Sequence, residues 1–192
     1  NRGVIRNHPS GYNLHLYCGG NIINSGTISS ASLIFNGSSN QSLSNTGTIS
    51  STQISDSHAA SSLSLLTDLS LSGANIDLNE ASLILNDGSR LGKTLSLSGG
   101  YLTEANVVGG NSSRLHTEGG NWLSSLNFDD IIWEGVVTLG TNVSVNNLVN
   151  YATVQCFGSS SSSLAINGRL DNMAEGVIQN NIYNLTLNCY GD

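Results

Sequence analysis

Short alternations of apolar and polar residues recur along the whole chain, and almost nothing in it carries the spacing of an amphipathic helix. Leu14-His-Leu16, Leu63-Ser-Leu65, Leu69-Ser-Leu71, Ile76-Asp-Leu78, Leu95-Ser-Leu97, Val143-Ser-Val145, Leu164-Ala-Ile166 and Leu185-Thr-Leu187 each set apolar side chains two residues apart. In an extended strand a period of two places those side chains on one face, so each triplet predicts a short strand with one buried side. Clusters of Gly, Asn and Ser separate the triplets, and the single proline, Pro9, lies in such a cluster. These residues favour turns, and the pattern predicts an all-β chain.

The same segments return at long intervals. Asn24-Ser-Gly-Thr-Ile28 recurs as Asn45-Thr-Gly-Thr-Ile49 about 21 residues later, and Asn1-Arg-Gly-Val-Ile5 precedes the first of these by about 23. Ala31-Ser-Leu-Ile-Phe-Asn36 returns as Ala81-Ser-Leu-Ile-Leu-Asn86 after roughly 50, and Leu69-Ser-Leu-Ser-Gly73 as Leu95-Ser-Leu-Ser-Gly99 after about 26. Gly19-Gly-Asn-Ile22 has an echo in Gly119-Gly-Asn-Trp122. A β-sandwich accounts for strands every 8–12 residues or so but gives no reason for these longer returns. A parallel β-helix does, because each coil is a few short strands joined by turns. The expected fold is a single-domain, all-β parallel β-helix (β-solenoid) over residues 1–192, with about eight coils and a period near 20–26 residues. Asn24 and Asn45 are expected to stack as an amide ladder at one turn.

A larger repeat links the two ends of the sequence. Gly3-Val-Ile-Arg-Asn7, followed by Tyr12-Asn-Leu-His-Leu-Tyr-Cys18, matches Gly176-Val-Ile-Gln-Asn180, followed by Tyr183-Asn-Leu-Thr-Leu-Asn-Cys189. The period is roughly 171–173 residues, and the match includes Gly, Tyr and the scarce Cys in one order. Residues 1–173 are therefore expected to be one module and residues 174–192 the start of the next copy in a tandem array. Two similar coils within one solenoid are the alternative. No charged, helical or proline-rich cap is visible at either terminus, which fits a longer rod or subunits stacked head to tail.

The Asn-x-Gly-Thr-Ile motif, the Ser-rich strands and Leu-x-Leu-x-Gly resemble β-solenoid repeats of large secreted adhesin-like surface proteins of bacteria. The resemblance covers most of the chain through motifs of low specificity. It implies an extracellular or cell-surface location, and adhesion or filament building through end-to-end self-association or neighbouring modules. It transfers no functional residue.

Composition narrows the classes further. Only 10% of the residues are charged, against the usual level of about 25%. With 38% hydrophobic residues at regular intervals, the chain is expected to fold. The net charge is −7 and the basic residues, Arg2, Arg6, Arg90, Lys93, Arg114 and Arg169, are dispersed, so no nucleic-acid footprint is present. No apolar run is long enough to predict a membrane-spanning helix. Without an initiator Met or signal peptide at Asn1, the sequence reads as a mature protein or an excised piece of a larger one.

Candidate chemistry concentrates in one segment. Trp122 and Trp133 flank Phe128 and could present a sugar-stacking surface for surface glycans, the alternative being that both indoles pack inside. Asp129, Asp130 and Glu134 form the densest acidic cluster. Oxygen-rich turns suit calcium, and paired carboxylates serve polysaccharide hydrolysis or lyase chemistry on this kind of fold. The basic and His motifs that usually accompany such carboxylates are missing, and no Gly-x-Ser-x-Gly elbow is present, so the chain is expected not to be an enzyme and no cofactor beyond calcium is implied. Cys18, Cys156 and Cys189 each fall in phase with inward residues. They read as buried thiols, or as a Cys156–Cys189 disulfide between stacked coils with Cys18 left for a preceding module.

Overall fold

The computed structural model describes residues 1–58, 61–86, 91–110, 112–156, 161–180 and 184–191; Arg90 and Tyr183, which enter the sequence reading, lie outside them. The first level of the fold consists of β1 (Val4–Arg6), β2 (His15–Cys18) and β3 (Ile22–Asn24), one strand on each of three faces. The second level repeats this with β4 (Thr27–Ser29), β5 (Ser32–Phe35) and β6 (Gln41–Asn45), and the third with β7 (Thr48–Ile49), β8 (Gln53–Asp56) and β9 (Ser62–Leu65). The fourth holds β10 (Leu69–Ser72), β11 (Asn75–Asp77) and β12 (Ser82–Ile84). In the middle levels one strand bends across two faces. β13 (Thr94–Ser98) is followed by β14 (Gly100–Val108), β15 (Arg114–Glu118) by β16 (Asn121–Asp129), and β17 (Ile131–Leu139) by β18 (Val143–Val145). The last levels are β19 (Leu148–Asn150), β20 (Thr153–Cys156) and β21 (Ser162–Ile166), then β22 (Leu170–Asn172), β23 (Val177–Ile178) and β24 (Leu185–Cys189).

Every strand pairing among the described residues is parallel and joins one level to the next. The chain is a parallel β-solenoid of about eight coils in a single domain, as its periodicity predicts. Most steps between levels lie in the expected range, such as 21 residues from Asn24 to Asn45 and 26 from Asp68 to Thr94. Several steps fall below it, with 17 from His15 to Ser32, 17 from Asn127 to Ser144 and 16 from Leu123 to Leu139.

Those short steps have a local cause at the second of these places. β14, β16 and β17 turn their corners on a single residue with left-handed backbone, at Glu104 (φ 50°), Ser125 (φ 54°) and Gly135 (φ 82°). One such residue reverses the pleat and redirects the strand without a loop. At Gly135 the corner also presses on the coil below, since a Cβ there would sit 1.9 Å from the Thr117 carbonyl oxygen. No side chain fits.

Alternation fills the interior with side-chain ladders. On the second face Leu16, Leu33, Ile54, Ile76, Leu102, Leu123, Leu139 and Cys156 stand in register, one per level. On the third, Leu63, Leu83, Val107, Phe128, Val145, Ile166 and Cys189 do the same. On the first face Leu69, Leu95, Leu115 and Trp133 lead to the amide of Asn150. That ladder begins above a break, because β1, β4 and β7 form a separate three-stranded sheet.

The Asn-x-Gly-Thr-Ile motif explains itself at the corner between the third and first faces. Asn24 Nδ2 donates to Asn45 Oδ1 (2.7 Å), and Asn1 Nδ2 donates to Asn24 Oδ1 (3.0 Å), so the expected ladder exists and has three rungs. Asn24 also closes its own turn by accepting from Gly26 N (3.2 Å). The glycine is needed because a Cβ on Gly26 would meet Gly3 O at 2.1 Å, and one on Gly47 would meet Gly26 O at 2.0 Å. Ile5, Ile28 and Ile49 then stack inward.

Two alanine substitutions separate the causes. Gly11 has left-handed backbone (φ 86°) with open space around its Cβ position, whereas Gly135 has both the left-handed backbone and the steric clash. We expect Gly135→Ala to cost about 1–3 kcal/mol more than Gly11→Ala, the penalty of overpacking a closed site. Urea denaturation of both variants measures it, and equal midpoints would show that the corner is not closed against the coil beneath.

Candidate functional surfaces

The register divides the aromatic cluster expected from the sequence. Trp133 is fully buried and Phe128 nearly so, and the two rings meet edge to face with centroids 5.4 Å apart. Both belong to inward ladders, so neither can stack on a glycan. Trp133 Nε1 has no hydrogen-bond partner, which marks this residue as a filler of volume between Leu115 and Asn150. Trp122 points the other way, is 38% exposed, and lies against Tyr101 on the second face with centroids 6.3 Å apart. Sequence proximity grouped these rings, but strand parity separates them.

The acidic residues are likewise distributed. Asp129 accepts from Asn146 Nδ2 (2.8 Å) and Asp130 from Asn147 Nδ2 (2.5 Å), both at the corner from the third face to the first. Glu134 lies further on, on the first face, where it forms an ion pair with Arg114 of the coil below. Among the described residues no group of three or more His, Cys, Asp or Glu side chains is placed to hold a metal ion. The three carboxylates therefore serve adjacent coils, two through amides and one through a guanidinium.

The structure does not bring Cys156 and Cys189 together. Cys156 stands above Leu139 on the second face, whereas Cys189 stands above Ile166 on the third, and all three cysteines are free. The inward phase was legible, but which face each strand occupies was not. Cys156 is buried, Cys18 half-buried and Cys189 exposed. Burial pushes the Cys18 thiol above its ordinary value, because the thiolate would lose solvation.

One cluster escaped the sequence reading. Coil stacking sets His116 opposite Glu134 in register, with Nδ1 3.8 Å from the carboxylate, beside Arg114. These residues gain meaning only once the spacing of 18 residues between these two levels is known. Below them, Ser70, Ser72, Ser96, Ser98, His116 and Glu118 line an open groove of about 640 Å³ that extends to Thr48 and Ser50. The groove lies where the first-face ladder is interrupted between β7 and β10. Its hydroxyls, imidazole and carboxylate offer hydrogen bonds to an extended hydroxylated ligand, while Glu134 is held by Arg114. No helix among the described residues is long and apolar enough to cross a membrane.

The two tryptophans provide a direct check of the parity assignment. In Trp133→Phe the remaining indole is Trp122, and in Trp122→Phe it is Trp133. We expect acrylamide to quench the first variant several-fold more efficiently than the second. Equal quenching would contradict the placement of Trp133 inside the coil.

No protein-family model matches the chain, and searches of curated proteins and of solved structures return no match.

Proposed function

We propose that this chain is a structural module of an extracellular or cell-surface filament, in which one β-solenoid unit continues into the next. The observation that carries this reading is that the repeated segment recurs as structure as well as sequence. Asn7 Oδ1 accepts from Leu14 N (2.8 Å) just ahead of β2, and Asn180 Oδ1 accepts from Leu185 N (2.9 Å) at the start of β24. Asn1 Nδ2 donates to Gly3 O (3.2 Å), and Asn172 Nδ2 donates to Gly176 O (2.9 Å). A solenoid has no intrinsic length limit, since each coil contacts only its neighbours. The proposal assigns no catalytic step to the chain.

Negative-stain electron microscopy of the untruncated native material tests it. We expect rods whose axial rise per module is about 40 Å, from roughly eight coils at about 4.8 Å each. Short rods of one module with defined ends would overturn the filament reading.

A second reading, an adhesin that binds glycans, is favoured by the outward-facing pair of half-buried Tyr101 and exposed Trp122. Aromatic faces flanked by polar residues stack on sugar rings, and Asn75 and Gln53 continue the same outward column. Trp122→Ala should then abolish binding to a glycan array while shifting stability by no more than about 0.5 kcal/mol, as for other surface substitutions. Array binding that Trp122→Ala leaves intact would remove this surface from consideration.

A further inference from the structure

The repeated segment does not return to the face on which it began. β2 leads, level by level, through β5, β8, β11, the first halves of β14 and β16, the second half of β17 and β20, to β23. By sequence and by the asparagine that accepts from the backbone at its start, however, the counterpart of β2 is β24, which stands at the top of the third face. The counterpart of β1 is β23, on the second face and not the first. The repeat unit therefore contains one face more than eight full coils.

The asparagine ladder shows the same displacement independently. Asn1, Asn24 and Asn45 occupy the corner from the third face to the first. A second ladder starts at Asn150, which is fully buried and donates to Asn172 Oδ1 (2.8 Å) at the corner from the first face to the second. Asn150 closes its turn as Asn24 does, accepting from Ala152 N (3.1 Å) and donating to Ala152 O (3.2 Å). The segment Asn150-Tyr-Ala-Thr-Val154 is thus the Asn-x-Gly-Thr-Ile motif with alanine for glycine, already moved one corner forward. Asn172 is its second rung and the counterpart of Asn1.

We propose that the level formed by β22–β24 is the docking surface for the next copy of this module, and that each copy is rotated about the rod axis by one face, close to a third of a turn. The inference rests on the tandem reading and adds the register of the junction. Contacts made by Asn1 in the first copy pass to Asn172. Asn1 lies beneath Asn24, so Asn24 of the second copy sits on Asn172, and β3 of the second copy pairs with β22 on the first face. Ile23, whose side chain points outward in β3, then stands directly above the outward Asp171. Successive copies present any given surface residue on three sides of the filament in turn.

The test uses a chain of residues 1–189 followed directly by a second copy beginning at Gly19, so that Cys189 takes the place of Cys18 at the junction. With the native cysteines replaced by Ala or Ser, Asp171→Cys in the first copy is combined with Ile23→Cys in the second. A parallel chain carries Val177→Cys with the same partner, the outward position on the second face that a junction displaced by one more corner would bring beneath Ile23. Stacked strand neighbours lie within the Cα separation of about 4.4–6.8 Å that a disulfide accepts. We expect one cooperative unfolding transition, a protease-resistant rod of doubled length, and near-complete oxidation of the Asp171→Cys pair with little of the Val177→Cys pair. A continuous rod that crosslinks through Val177→Cys, or through neither pair, overturns the rotation by one face while leaving tandem continuation standing. Two halves that melt separately, joined by a protease-sensitive segment, overturn the tandem reading and the rotation together.

Discussion

Within the stack, most strand residues described have fixed neighbours on the adjacent coils, because the backbone N–H and C=O groups of each strand pair with the levels next to it. That coil-to-coil hydrogen bonding is the constraint from which the other features follow. It sets the rise at about 4.8 Å per level and forces like positions to share an environment. An inward Leu16 must be followed by an inward residue at Leu33, Ile54 and Ile76. A buried amide such as Asn24 must find another amide at the same height above it, and it does. Leaving such a group without its partner costs about 1–3 kcal/mol, which explains why amides appear in rows.

Corners are where this constraint is hardest to meet. Strand stacking brings turn backbones as close as strand backbones, so a turn must close its own polar groups without a side chain pointing into the coil beneath. The chain uses two solutions. At the Asn-x-Gly corner the asparagine caps its own turn while the glycine rests against a carbonyl oxygen of the preceding level. At Glu104, Ser125 and Gly135 one left-handed residue turns the strand with no loop at all. Loops inserted elsewhere, as between β1 and β2, lengthen a coil without disturbing the stack.

The sequence disclosed the parts of this arrangement that depend on local spacing. Alternation identified inward positions, and the return of Asn-x-Gly-Thr-Ile identified the ladder and the approximate coil length. What it could not disclose is which face a strand occupies, because that depends on every corner before it. Trp122 and Trp133 are near in sequence, yet a left-handed residue at Ser125 and another at Asp130 intervene and set one outward and one inward. Cys156 and Cys189 share the inward phase but not the face. His116 and Glu134 are brought together only by the stack. Asn150-Tyr-Ala-Thr-Val154 went unrecognised because alanine replaces the glycine that made the motif visible.

Face assignment is cumulative, and this has a consequence for how such a chain diversifies. A loop of any length returns the backbone to the same ladder, so its residues are free to vary in number. A gained or lost corner shifts every later strand to a different face while leaving each local motif intact. The repeated segments at residues 1–18 and 172–189 keep their asparagine hydrogen bonds and their inward leucines, yet stand one face apart. Local structure is therefore conserved between the two by their sequence, whereas their orientation about the axis is set by the number of corners between them. The offset of one face is the remainder left when those corners are divided into three-sided coils, and no residue within either segment encodes it.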